Sequence, residues 1–466
     1  MGSALGAPRA LNGRAKPALG AEPENHWPTV GGAKPPPHIR GQSPTRSARN
    51  ETSQGAKERT KKMKRWKKVG IVLLAVAVLS QLPFAWRRHR LARLQTAIQQ
   101  LATQRVASQS DSAFRDYKGV IHVHSFLGGH STGTFQAIID AARTDGLDFV
   151  IMTEHPAKDF DTAAATLKGQ HAGVLFINGS EVVTVTGDRL LLIPGDESAA
   201  RANTASTPEV IAQQKSRGGL AIVAYPAEFR SWEVNDYDGV EVYNLFTNAR
   251  HYNPVIGFFD GLWSYRSYPD LMFANFYERP SQNLQSWDSA TASSKRKLVA
   301  IAGNDAHANI GLSLSDSSGK QLLGIKLDPY ERSFRTVRTH VLIESNQPLT
   351  NETLAAAIAA GRCYLGFDLF GDSTGFNFTA QNKSETKLMG DEIALVDGVK
   401  LNVATPLAAR VVLLRDGIKV QEEPDASHHE FSVTQPGAYR VEVYLPQLPK
   451  PISDQPWIIS NPIYVK

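Results

Sequence analysis

The chain reads as an α/β protein whose middle closes into a barrel of about seven strands, flanked by one membrane-spanning helix before it and a small β-sandwich after it. Three observations predict this. From residue 117 to 310, short apolar runs alternate with stretches of helical periodicity, the pattern of a largely parallel sheet with crossover helices. Val69–Trp86 is eighteen mostly apolar residues without a charge, near the ~20 that span a bilayer. After Leu369 helical periodicity ceases and short alternating runs with turn signals take over.

The N-terminal part explains the charge. Residues 1–62 are rich in Gly, Pro, Ala, Ser and Arg and poor in large apolar residues, which predicts a disordered tail. Residues 63–86 form a basic flank and the apolar helix, with Trp66 and Trp86 placed as interfacial aromatics. Eight Lys/Arg lie in residues 57–68 against four in 87–93, so the N-terminus is expected inside and the remainder outside the inner (cytoplasmic) membrane, in the periplasm. Arginines follow the apolar run where a cleaved leader would carry small residues. "MKRWKK" makes Met63 an alternative start, and residues 87–114 are expected to form a polar helical stalk. Residues 1–110 carry 20 Lys/Arg against 4 Asp/Glu, whereas the rest carries 31 against 41. The folded region is therefore acidic, and the expected partners are membrane lipid through the one helix and a small-molecule or envelope-derived ester, with no nucleic acid. One cysteine, Cys363, excludes an intrachain disulfide and a cysteine-based zinc site.

Within residues 115–369 the polar residues recur at one place in each unit. "YKGVIHVH" ends its strand on His122 and His124, with His130 in the Gly-rich loop beyond. "LDFVIMTEH" ends on His155, Glu181 follows "GVLFINGS", and "LVAIAGNDAH" carries Asp305 and His307. In parallel barrels such strand ends gather the active site. Alternation puts His122 and His124 on one face. Imidazoles and carboxylates converging from separate strands are what a divalent metal requires. Each motif alone is weak, and only their common register makes a metal site the expectation.

The ordered set "HVHS", "HST", "TEH", "GSEV" and "GNDAH" resembles the polymerase and histidinol phosphatase (PHP) family of metal-dependent phosphoesterases, over about residues 115–310. The resemblance implies a distorted (β/α)7 barrel with divalent zinc, manganese or iron. It implies one metal on His122, His124, Glu181 and Asp305, another on His130, His155 and His307, and Glu181 as a bridge to a further ion. This chain has "AYP" where the family usually has "AHP", so Tyr225 replaces a histidine and one or two metals are expected.

Residues 370–466 are expected to be an immunoglobulin-like sandwich, with His428 and His429 in a surface loop. The function expected is a membrane-anchored metal-dependent phosphoesterase using metal-activated water. Asp305 and His307 are the catalytic candidates. Tyr225 and Arg250, with Arg230 beside them, are candidates for binding an anionic substrate. The same site suits a carbamate or carboxylic ester hydrolase of the carbaryl-hydrolase-like branch. A non-catalytic envelope-binding protein with a structural metal is the reading from another class.

Overall fold

The computed structural model describes residues 46–106, 113–250, 252–294, 296–309, 311–315 and 321–466. The chain divides into two compact units, Met1–Ala77 and Val78–Lys466. Helix α1 (Arg46–Gln104) begins inside the stretch read as disordered to residue 62, because Lys, Glu, Arg and Gln there are good helix formers. It contains one segment long and apolar enough to cross a membrane, and Ile71, Val72, Leu73 and Leu74 on it are all exposed.

In the second unit α1 is more than a polar stalk. Leu91, Leu94 and Leu101 are buried in the main core, with Ile98 packed beside them. Their spacing repeats every three to four residues, so one stripe faces the core while Arg and Gln face water. Arg87 adds an ion pair to buried Asp260 at 2.7 Å.

The unit is α/β with a large mixed sheet. Strands β1 (Phe114–Val123), β2 (Phe149–Met152), β3 (Val174–Ile177), β4 (Ser180–Val183), β5 (Arg189–Ile193), β6 (Leu220–Ala224), β7 (Gly239–Asn244) and β8 (Val299–Ala306) carry the site. β6, β7, β8, β1, β2 and β3 pair in that order, all parallel. β5 runs antiparallel to both β4 and β6, against the expected parallel order. The β4–β5 connection, residues 184–188, is too short for a crossover and can only make a hairpin. Ile121, Ile151, Ile177, Leu191, Ile222 and Ile301 form a buried cluster beneath the strand ends, and Val120, Val123, Val150 and Phe176 pack on the other side.

The first half of β1 also pairs antiparallel with β9 (Arg338–Glu344), which pairs with β10 (Cys363–Gly366). The sheet continues into the C-terminal strands through Pro456–Ser460 and Gly437–Tyr444. Val399–Arg415 and Ile418–Val433 form one long hairpin, turned at Asp416 and Gly417 with positive φ at both positions. His428 and His429 therefore lie in a strand rather than a loop, and His429 is buried.

Candidate metal centre

His122 is reached by a break in alternation. It adopts φ 68°, and the register of β1 shifts between Ile121 and Val123 against both neighbours. Val120 and Val123 consequently share one cluster while Ile121 belongs to the other. Regular alternation would put His122 on the Val120 side, and the left-handed residue turns it over the Ile121 side instead. Asp305 (φ 48°) and Tyr225 (φ 50°) are left-handed as well. Such non-glycine positions cost roughly 1–3 kcal/mol each and persist where surrounding structure enforces them, commonly at functional sites.

The expected metal-site residues come together. One ligand atom from each of His122, His124, Glu181 and Asp305 lies within 4.8 Å of the others, and the same holds for His124, His130, His155 and His307. The two groups share His124. The histidine side of this split differs by that one residue from the assignment implied by the family resemblance.

Hydrogen bonds fix how several imidazoles present themselves. His307 Nδ1 is 2.7 Å from the Asp305 carbonyl and His130 Nδ1 is 3.2 Å from that of Gly128. A carbonyl only accepts, so both Nδ1 atoms carry a proton, and Nε2 is the nitrogen each ring has left for a ligand. Those Nε2 atoms face each other at 2.7 Å, close enough for both to serve one cation. His124 is fully buried, and neither ring nitrogen has a hydrogen-bond partner among the described residues, although Glu181 Oε2 and Asp305 Oδ1 stand 3.4 and 3.3 Å away. A buried ring nitrogen without a well-formed hydrogen bond is expensive, and metal ligation is one common reason for it. Asp305 Oδ1 is likewise buried without a hydrogen bond among the described residues. The donor set fits a borderline divalent cation.

The electrostatics agree. Burial lowers His155 and His307 to about 4, with neighbouring imidazoles adding to it, so both are neutral and ready to ligate at pH 7. Burial acts the same way on His122, but Glu241, Asp305 and Glu181 outweigh it and hold that imidazole well above its usual range. Negative charge is concentrated there.

Two residues that sequence reading missed complete the surroundings. Glu241 is buried on β7, and its Oε1 lies 2.6 Å from His122 Nδ1, while Asn244 donates to its Oε2. Its only signal is a carboxylate in the middle of the apolar run "GVEVYN". Arg189 places Nη1 3.2 Å from Glu181 Oε1 and its guanidinium 4.8 Å over the Tyr225 ring. Tyr225 itself donates to Asp305 Oδ2 at 2.5 Å, and burial followed by the Asp305 and Glu181 charges pushes its phenol far above 10, keeping it neutral. Arg250 does not join the cluster. It is exposed at the end of helix α2 (Leu245–Arg250), without a hydrogen bond or ion pair among the described residues. Arg230 is exposed and points to the Thr186 carbonyl.

No family model matches the chain, and no curated protein does. Among solved structures it is similar to a two-domain protein containing a predicted PHP-like metal-dependent phosphoesterase from Bacteroides vulgatus ATCC 8482, at 14% identity over 77% of this chain and 98% of that one, with TM-score 0.36. It is also similar to PsfC from Pseudomonas syringae PB-5123, at 12% identity over 54% of this chain and 92% of that one, TM-score 0.34. A third is the lesion-specific endonuclease PfuEndoQ from Pyrococcus furiosus, at 13% identity over 52% of this chain and 56% of that one, TM-score 0.30. Likenesses of this size do not establish an activity for this chain.

They do correct one expectation. A structure of endonuclease Q holding a 27-mer duplex with an abasic lesion is also among those similar to this chain, so the exclusion of nucleic acid drawn from the acidic balance is withdrawn. Net charge describes the whole surface and says little about one cleft, where a metal centre itself attracts phosphate. This does not show that the chain binds nucleic acid. Membrane lipid and an envelope-derived ester are not shown as partners either.

Proposed function

We propose that the chain is a metal-dependent hydrolase of phosphate esters, with one or two divalent ions, zinc, manganese or iron, on the two overlapping ligand groups. The observation that carries this is buried His124, shared by both groups with neither nitrogen hydrogen-bonded among the described residues. Ions held there would supply water activated near neutral pH and would neutralise charge on a phosphoryl group.

The chain's own residues then have distinct parts. His122, His124, Glu181 and Asp305 would hold one ion, and His130, His155 and His307, with His124, would hold a second. Asp305 and His307, which both line the adjoining cavity, are the residues we assign to the reacting centre. Glu241 orients His122 through its Nδ1 proton, as outer carboxylates do for ligating histidines. Tyr225 donates to Asp305, which leaves the other Asp305 oxygen facing His122 and His124. Arg189, at the edge of the cluster, is the cation we assign to the phosphoryl oxygens in place of Arg250.

The remaining assignments rest on the sequence pattern: a (β/α)7 arrangement for residues 115–369, an immunoglobulin-like sandwich after it, and one membrane-spanning helix with the N-terminus inside and the catalytic unit outside. The basic excess before the apolar run supports the orientation. The test is hydrolysis by purified protein, with added Mn²⁺ or Zn²⁺, of phosphomonoesters, read as released phosphate, and of phosphodiesters, read as released alcohol, beside carboxylic and carbamate esters. Metal-dependent release from either phosphate ester that is lost on chelation supports the reading. Cleavage of carboxylic or carbamate esters alone overturns it.

A further inference from the structure

Beside the metal cluster lies a cavity of about 420 Å³ whose lining includes both Asp305 and His307. That volume is in the range of small-molecule sites. Its walls are strongly apolar: Phe246, Met272, Phe273 and Phe276 contribute, and the Phe246 ring sits 5.5 Å from the His307 imidazole. A phosphate group alone has no use for such walls.

The cavity also reaches the surface along helix α3 (Pro254–Ser264), whose Phe258 is in the lining and 59% exposed. Val255 and Leu262 on the same helix are 63% and 71% exposed. An apolar path thus runs from two residues of the metal cluster to an apolar helix face.

We propose that this cavity binds the apolar alcohol portion of an amphiphilic phosphate ester whose phosphoryl group sits at the metal cluster. The inference rests on the hydrolase reading and names its substrate class. In the reaction, a water oxygen bonds to phosphorus, the P–O bond to the alkyl group breaks, and the proton lost by water ends on the released alcohol. Phosphate and a long-chain alcohol are the products. Each methylene buried in the cavity should improve binding roughly two- to fourfold until the chain extends past Phe258.

The experiment uses the full chain in amphipol with Mn²⁺. Phosphate release is measured from ethyl, hexyl and dodecyl phosphate. In parallel, binding of methylphosphonate and dodecylphosphonate, which cannot be hydrolysed, is measured by calorimetry with and without chelator. The expected result is a kcat/KM for dodecyl phosphate at least a hundredfold above that for ethyl phosphate, and a matching preference in phosphonate binding. Phe246→Ser should shrink the dodecyl-to-ethyl ratio at least tenfold. Phe258→Ser, at an exposed position that tolerates a polar residue in the fold, should also shrink it. Those changes separate the cavity from adventitious uptake of alkyl chains by the apolar segment of α1. Release that does not depend on chain length overturns the cavity proposal and leaves the hydrolase reading standing. Chain-length-dependent binding with no release from any ester supports the cavity and overturns the hydrolase reading. A chain-length preference unaffected by either substitution overturns the cavity proposal.

Discussion

His124 and Asp305 test the site most directly. Replacing His124 by Ala or Asp305 by Asn should lower bound metal, measured by elemental analysis, and reduce hydrolysis at least a hundredfold with the fold retained. Near wild-type activity in Asp305→Asn would sink the mechanism. Tyr225 is a separate case, because its neutral phenol is spent on Asp305 Oδ2 and a phenol is a poor zinc ligand beside an imidazole. Tyr225→Phe should keep the metal and slow the reaction about tenfold, and the unmutated protein should bind no more than two ions; three tightly held ions would refute this account. Gly303 gives a third test. A Cβ there would sit 1.6 Å from Glu241 Oε1, so Gly303→Ala must push Glu241 off His122. Metal affinity should fall about 10- to 100-fold, the usual effect of losing an outer carboxylate, and titration with Zn²⁺ would read it. The ligands themselves were legible because all sit in short local motifs at or just beyond strand ends, His130 in the loop that follows β1. Glu241 and Arg189 were not, since their meaning depends on which side chains distant strands bring opposite them.

Helix α1 shows what a local pattern leaves out at the scale of an element. The sequence marks an apolar run followed by a charged helical stretch, and the charges hide a stripe of Leu91, Leu94, Ile98 and Leu101 that packs into the core of the second unit. Leu94→Ala should destabilise that unit by about 2–5 kcal/mol, as buried leucine truncations do, whereas Arg93→Ala on the exposed side should change it by less than about 0.5 kcal/mol. Denaturant unfolding, followed by the tryptophans of the second unit, would check both. Equal small effects would mean that the helix does not pack there in solution. Strand β5 teaches a related lesson. "RLLLIP" was recognisable as a buried strand, but its direction is set by the length of the connection before it and by the neighbours it finds.

At the scale of the whole unit, the sheet is joined across long sequence distances by charges that no local motif announces. His340 on β9 is fully buried between Asp116 of β1, 3.0 Å from its Nδ1, and Asp368, 3.2 Å from its Nε2. Arg338 also faces Asp368 at 3.3 Å, and the Tyr364 ring stacks 4.6 Å from the imidazole while its hydroxyl donates to Asp116. The chain separation between His340 and Asp116 is 224 residues, which is why "RTHVLIE" reads as an ordinary strand. Burial would lower this histidine, but the two carboxylates outweigh it and raise it to about 10 from an ordinary 6.5. A pKa higher in the folded than in the unfolded chain means that the stability it contributes is complete below about 6.5 and declines as pH rises toward 10. His340→Gln removes the charge and leaves both carboxylates facing a neutral amide, so the variant should be less stable by about 3–5 kcal/mol at pH 6. Between pH 7 and 10 the gap between variant and wild type should narrow by roughly 1 kcal/mol per pH unit, approaching the limit of about 1.4 only midway between the two pKa values. Urea unfolding of the two proteins at half-unit intervals would measure it. A gap that stays constant across that range would mean that His340 is neutral in the fold and that the charged bridge between β1, β9 and the segment after β10 does not exist.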